Sequence, residues 1–475
     1  MAKPSLTRSG FAVACLLASV FCVPPALAAS LDVQPMVSRA DAPIDIRATG
    51  LQPGALATIS ATTRDSSGHL WRSAVTCKAD SAGVVDLAQC APVGGAPAST
   101  YSKADPMGLF WSMHQQDGAA IFFQFPDAPD AAYVLTLAVH GKVVQRIPVI
   151  RQLMADDIVR ERLSASSDGV SGVVFQPALP AHTPGAPATR AAARFPAVIL
   201  LGGSGGGHPW DDLAAMLASH GYVALSLAYY NGFATPDPPL PNELVSIPVE
   251  TVGRALAWLR KNPEVDADRI AILGHSRGSE LALLSAVHYP AFKAVVALAG
   301  SPVAWPGINP HDYTHDFPAW TFDKKAVPFL PAMPYFAKAY HEHKQPVTAF
   351  EQALDNEAAV QAAFIPIERI DGPILFLGGD ADAIWPSRRM AAMAMTYLHR
   401  HRHRFADSEE IFPDAGHFFF DPYAPVEHRV DWTITDSQGT TTVHYGGTLA
   451  DDARAAPQAW ARILRFLHES LSRPR

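Results

Sequence analysis

Hydrolysis of an acyl bond needs a nucleophile, a base to deprotonate it, a group that fixes the base, and donors for the oxyanion. The pattern Gly274-His275-Ser276-Arg277-Gly278 offers the first. An apolar run, Ile270 to Leu273, precedes it, and a helical pattern opens with Leu281, Leu283, Leu284 and Val287. Strand, tight turn and helix in that order, with glycine on either side of a serine, make Ser276 a candidate nucleophile on a strained turn. The same residues also fit an ordinary turn, so the reading depends on partners in the order serine, acid, histidine.

Those partners are present. After an apolar strand at Ile374–Leu377 comes Gly378-Gly379-Asp380-Ala381-Asp382, and Asp382 is the expected acid, with Asp380 as the alternative. Farther on, Pro413-Asp414-Ala415-Gly416-His417 places His417 on a glycine-punctuated loop as the expected base. The oxyanion donors are expected to be the backbone N–H of Arg277 and those of Gly203 and Ser204, in the loop Gly202 to Gly207. That loop lacks G-x-x-x-x-G-K-[ST], so a phosphate cradle fits it less well than close approach to an acyl oxygen. His275 is read as structural, and His399, His401 and His403 as complementing a helix C-terminus rather than binding a metal. No metal and no cofactor are expected.

The elements needed to position these groups are legible as patterns. From Phe195 onward, continuously apolar strands (Ala197–Leu201, Val223–Leu227, Ile270–Leu273, Ala294–Leu298, Ile374–Leu377) alternate with helical segments. Such strands belong to a parallel sheet covered on both faces, with ligands at the carboxyl ends. Between Leu31 and Val149 short alternating segments separated by turns indicate an antiparallel, immunoglobulin-like β-sandwich. Arg151–Leu163 reads as a connecting helix and Pro177–Ala193 as a flexible surface insertion. The expected boundaries are a leader at 1–28, the sandwich at 29–150, linker and insertion at 151–194, and the catalytic domain at 195–475. From Gly300 to Phe364 strand signals stop, and aromatic residues among prolines fit either a lid or a packing excursion. A last amphipathic helix is expected over Ala455–Leu471.

Composition bounds the rest. The 475-residue chain is 48% hydrophobic and 17% charged, with a net charge of −8, which argues against nucleic-acid binding through a basic surface. Lys3 and Arg8, the apolar run Phe11–Val23 and Ala26-Leu27-Ala28 read as a cleavable export leader. Its removal would take the charge from −8 to −10 and leave a periplasmic or secreted chain without a membrane-spanning segment. Cys77 and Cys90 would then be the remaining cysteines, read as one disulfide across a hairpin or as two buried thiols.

Several stretches together resemble one family, the acyl-CoA thioesterases grouped with bile acid-CoA:amino acid N-acyltransferase. They are Asp105-Pro106-Met107-Gly108-Leu109-Phe110-Trp111-Ser112-Met113, Phe195-Pro196 leading to Gly203-Ser204-Gly205-Gly206-Gly207, Leu227-Ala228-Tyr229-Tyr230, Gly274 to Leu284, Ile365 to Ile370, and Gly446-Gly447-Thr448. The resemblance implies an N-terminal β-sandwich joined to an α/β-hydrolase domain. It implies a triad of Ser276, Asp382 and His417 and acyl-CoA-type thioesters as substrates. The family's conjugating members use cysteine, so Ser276 favours hydrolysis over transfer. Alternatives are an exported carboxylesterase or peptidase-like hydrolase, an acyl-CoA:amino acid N-acyltransferase, and a non-catalytic binding protein. Arg277, Arg388 and the Arg400–Arg404 cluster are the cations that could meet CoA phosphates. Acyl chain length and oligomeric state are left open.

Overall fold

A computed structural model describes residues 1, 28–94, 99–117, 123–125, 130–178, 194–426, 432–436 and 439–472. The expected leader and most of the Pro177–Ala193 insertion lie outside the described residues. Among those described, no helix is long and apolar enough to cross a membrane.

The N-terminal part is a sandwich of two sheets. One holds Ser30–Gln34, Asp45–Thr49 and Val85–Asp86; the other orders Val37–Arg39, Lys142–Gln152, Asp130–Val139, Leu56–Arg64, Leu70–Lys78 and His114–Gln115. Period-two alternation buries one face, as Ile59 and Ala61 on one strand meet Leu137 and Leu135 on its neighbour. Pairing is antiparallel except where Val37–Arg39 runs parallel to Ile150–Gln152. Cys77 and Cys90 form a disulfide with Cα atoms 6.1 Å apart. It does not close a hairpin as expected. Cys77 lies on a strand of the larger sheet, and Cys90 follows Val85–Asp86 of the smaller one, so the bond ties the two sheets together. Closing so short a loop contributes about 2–3 kcal/mol.

The C-terminal part is built on eight strands: β1 (Ile158–Leu163), β2 (Ser171–Pro177), β3 (Phe195–Leu201), β4 (Val223–Ala228), β5 (Val265–His275), β6 (Phe292–Leu298), β7 (Ile374–Gly379) and β8 (Ser408–Phe412). Their order in the sheet is 1-2-4-3-5-6-7-8, with β2 antiparallel to both of its neighbours β1 and β4 and every other pairing parallel, which is the α/β-hydrolase arrangement. Besides the single turn Ala165–Asp168, the helices described around them are α1 (Asp211–Ser219), α2 (Glu250–Lys261), α3 (Arg277–His288), α4 (Met333–His341), α5 (Pro346–Leu354), α6 (Glu357–Ala363), α7 (Ser387–Arg400) and α8 (Leu449–Leu471). Strand alternation sends Ile199, Ile272, Val295 and Phe376 into a core with α2, α3 and α7. Val198, Leu273, Val296 and Leu377 enter the opposite core with α1 and α8. Both faces are covered, which is why these strands read as unbroken apolar runs.

Several expectations need correction here. Arg151 begins no helix; it sits in strand Lys142–Gln152, buried, and donates to Ser38 Oγ at 2.6 Å and to the carbonyls of Ala40 and Ala42. Ile158–Leu163 is the edge strand β1, so the hydrolase sheet begins well before Phe195. Ile158 and Leu163 are buried and the four residues between them exposed, so this charged edge strand packs only at its ends and lacks the period-two alternation that marks a strand. The insertion after Gly300 also contains order that its aromatic residues concealed. Trp320–Phe322 pairs with Lys325–Ala326 and Ile247–Pro248, and α4 to α6 build a small core of Trp305, Leu330, Phe350 and Leu354 against Trp385 and Met390. The last helix starts earlier than expected, where Thr448 caps it by accepting from the Asp451 N–H.

The two parts meet along α8 and the loop after the second sandwich strand. Asp41 accepts from His220 Nε2 at 2.6 Å and from Trp460 Nε1 at 2.9 Å. Burial alone would raise this carboxyl, but the hydrogen bonds from His220 and Trp460 prevail and hold it at about 2. A depressed carboxylate contributes stability above its unfolded value of 3.8 and loses it as pH falls toward 2. Asp41→Asn is therefore expected to destabilise the chain by about 2 kcal/mol in chemical denaturation at pH 7. The gap to wild type should narrow below about pH 4; a gap that is absent at pH 7 would rule this linkage out.

Candidate active site

Ser276 adopts φ 55° and ψ −124° between the end of β5 and the start of α3. L-residues rarely occupy this region, and the local packing enforces it. A Cβ on Gly274 would run into the carbonyl of Gly278, and one on Gly278 into the carbonyl of Gly202. Both positions therefore exclude any side chain. The Ser276 N–H donates to Leu298 O at 2.9 Å on the neighbouring strand, and its carbonyl accepts from the Ser279 N–H and hydroxyl. Ser276 is 5% exposed.

The glycine-rich loop after β3 lies against this turn. A Cβ on Gly203 would sit 3.1 Å from the Ser276 Cβ, so backbone rather than side chain faces the serine. The loop is held from below by Tyr229, whose hydroxyl donates to Gly202 O at 2.7 Å and to Gly203 O at 3.1 Å. Burial pushes that phenol well above its usual range, which keeps it a donor.

Asp382 and His417 come together on the loops after β7 and β8. His417 Nδ1 lies 2.8 Å from Asp382 Oδ2, both side chains almost wholly buried. Asp382 Oδ1 accepts the N–H groups of Ile384 and Trp385, and Ser387 Oγ also donates to Oδ2. Asp380, the alternative acid, points elsewhere: it pairs with Arg388 at 2.7 Å and accepts the Asp414 N–H. The backbone of His417 is fixed by donation to Tyr445 O at 3.0 Å, and the Gly416 N–H donates to the buried Asp452 carboxylate at 2.7 Å. Gly446 is forced by the same crowding, since a Cβ there would overlap the Ala381 carbonyl of the acid loop. His275 packs under the site, its ring 4.8 Å from that of His417 and its Nε2 3.2 Å from the His417 carbonyl.

Some groups were invisible to sequence reasoning. Glu280, on the first turn of α3, is completely buried. Its Oε2 accepts the Trp305 N–H at 3.0 Å and Trp320 Nε1 at 2.9 Å, while Oε1 lies 3.0 Å from Arg277 Nε in an ion pair without hydrogen-bond geometry. Burial pushes this carboxyl up to about 7 against the pull of Arg277. Arg277 also donates to Trp305 O, so its guanidinium is committed inside the protein and is not a phosphate contact. Arg404 is paired with Asp371. His401 Nδ1 lies 2.9 Å from Tyr397 O, and His403 is held between Asp407 and Ile370 O. Among the described residues no cluster suited to a metal ion occurs.

Known proteins match this chain along most of its length. The model for the acyl-CoA thioester hydrolase/BAAT N-terminal region matches residues 41–165, and that for the BAAT/acyl-CoA thioester hydrolase C terminal matches residues 247–473. An acyl-coenzyme A amino acid N-acyltransferase 2 of Mus musculus is 30% identical over 91% of this chain and 95% of its own. The mitochondrial acyl-coenzyme A thioesterase 2 of Rattus norvegicus is 28% identical, covering 91% and 87%. A peroxisomal succinyl-coenzyme A thioesterase of Mus musculus is also 28% identical, covering 94% and 97%. These relatives overturn the expected export to the periplasm or medium, since those whose names give a compartment are mitochondrial or peroxisomal. The misreading has a physical source: a basic start, an apolar run and small residues are features of composition, and composition alone does not fix a destination.

The two loop aspartates provide a direct check on the site. Asp382→Asn is expected to lower kcat by about 10⁴-fold by leaving His417 with the wrong tautomer. Asp380→Asn, which breaks a half-exposed ion pair, should lower it by less than about fivefold. Equal losses in steady-state assays would exclude Asp382 as the orienting acid.

Proposed function

Since the chain belongs to the acyl-CoA thioester hydrolase/BAAT family, we propose that it hydrolyses acyl-CoA-type thioesters through an acyl-serine intermediate. The carrying observation is the 2.8 Å contact of His417 with Asp382 on loops after β7 and β8, together with a serine on a strained turn after β5 of the same sheet. With Nδ1 engaged by Asp382, Nε2 is the nitrogen available to take the Ser276 proton. Ser276 Oγ attacks the thioester carbonyl carbon, and the oxyanion is met by the Arg277 N–H and those of Gly203 and Ser204. Collapse breaks the C–S bond, and the thiolate leaves with the proton from His417. Water then attacks the acyl-serine with His417 as base, releasing the acid and restoring Ser276. No step calls for a cofactor or metal, and the catalytic triad is Ser276, Asp382 and His417. An acyl-CoA substrate places the reaction in fatty acyl metabolism.

A second outcome shares the same intermediate. An amine in place of water would give an N-acyl amino acid, the activity named for one relative. The oxygen nucleophile favours hydrolysis, because an acyl-serine ester deacylates to water once His417 acts as base.

The test follows free thiol and acyl products from a series of acyl-CoAs, with and without amino acids, and cleavage of a p-nitrophenyl ester in parallel. Wild type should reach kcat/KM of at least about 10⁴ M⁻¹s⁻¹ on an acyl-CoA, giving free acid. Ser276→Ala should lose at least about 10³-fold. Ester cleavage without acyl-CoA cleavage would remove the thioester substrate, and dominant N-acyl product would assign transfer instead.

A further inference from the structure

The buried carboxylate of Glu280 does not touch the reacting atoms, yet it lies where the two sides of the oxyanion site converge. On one side it holds the Arg277 side chain inward, so that the residue contributing the first backbone donor is pinned by its own guanidinium. On the other, its Oε2 receives Trp320 Nε1. The Trp320 ring packs 5.8 Å from that of Tyr229. Tyr229 in turn donates to the carbonyls of Gly202 and Gly203, which carry the second donor loop. The Arg277 guanidinium lies 5.9 Å from the Trp320 ring, closing the circuit between the two arms.

An apolar side chain would fill this volume at lower cost than an ionised pair taken out of water. Such a pair is explained if it fixes geometry. Three elements far apart in sequence meet at this carboxylate: the first turn of α3, the segment Ser301–Trp305, and the short strand Trp320–Phe322. A donor contributes fully only when it sits about 3 Å from the developing oxyanion, and small displacements of a loop forfeit much of that.

We propose that Glu280 is a positioning residue for the oxyanion hole, setting the Arg277 donor directly and the Gly203 loop through Trp320 and Tyr229. The proposal rests on the acyl-transfer chemistry assigned above to Ser276.

Two variants separate positioning from folding. Glu280→Gln keeps the shape and removes the charge that pairs with Arg277. Trp320→Phe keeps an aromatic ring beside Tyr229 and removes the donor to Glu280 together with part of the buried indole. Active sites are titrated with a fluorophosphonate, and kcat per titrated site and KM are measured on an acyl-CoA and on a p-nitrophenyl ester. Loss of kcat per titrated site of at least about tenfold for Glu280→Gln and about threefold for Trp320→Phe, with KM within about threefold, is the expected result. A role in folding alone would lower the melting temperature and the fraction of titratable sites, leaving kcat per site within about twofold; that result overturns the proposal. Should Glu280→Gln fail to fold, Trp320→Phe decides alone. If wild type cleaves the ester and no acyl-CoA, the thioesterase reading fails, while the ester comparison still judges Glu280.

Discussion

A serine at φ 55° survives only where its surroundings leave no alternative. Here the confinement comes from backbone meeting backbone: β5 ends, α3 begins, and the carbonyls of Gly202 and Gly278 occupy the space any Cβ would need at the flanking positions. The sheet makes this possible, because β3 and β6 flank β5 in parallel and bring the ends of all three strands to one edge. The glycine-rich loop, the serine and the Leu298 carbonyl therefore share a single crowded corner. Remove the strain and the serine would drop back into an ordinary turn, away from the donors around it.

The same crowding explains why so much of the arrangement could be read from residues in order. Glycines at Gly274, Gly278, Gly203 and Gly446 mark places where chain approaches chain, and each is visible as a letter in the sequence. Continuous apolar strands announced the two-sided core for the same reason, since Ile199 and Val198 point to opposite covered faces. What stayed hidden depends on contacts between distant segments. Asp380 and Asp382 differ by two positions and are chemically identical; only the fold gives one an arginine and the other a histidine. Glu280 reads as a polar residue on a surface turn of a helix, until Trp305 and Trp320 fold over it. The edge strand Ile158–Leu163 carries too many charges to look like a strand, because its exposed side has nothing to pack against. The disulfide likewise joins two sheets whose pairing no local pattern reveals.

Burial at the site also sets its character. His417 is 3% exposed and Asp382 is hydrogen-bonded on both oxygens, so this pair works in a region poor in water, where charge–charge and hydrogen-bond energies are larger than at the surface. Phe418, Tyr445 and Trp385 line the histidine ring. Aromatic walls of this kind shield a base from bulk solvent while leaving its lone pair directional.

The helix α8 serves two masters at its first turn. Asp452 takes the Gly416 N–H just ahead of His417, while its neighbour Ala453 belongs to the hydrophobic core of the sandwich. Farther along, Trp460 reaches Asp41 of the same sandwich. The N-terminal half is thus part of the scaffolding of the histidine loop rather than an appendage beside it. Halves of related chains spliced together at the linker would bring mismatched partners to this turn, so a chimera is compatible only when α8 and the sandwich core travel together.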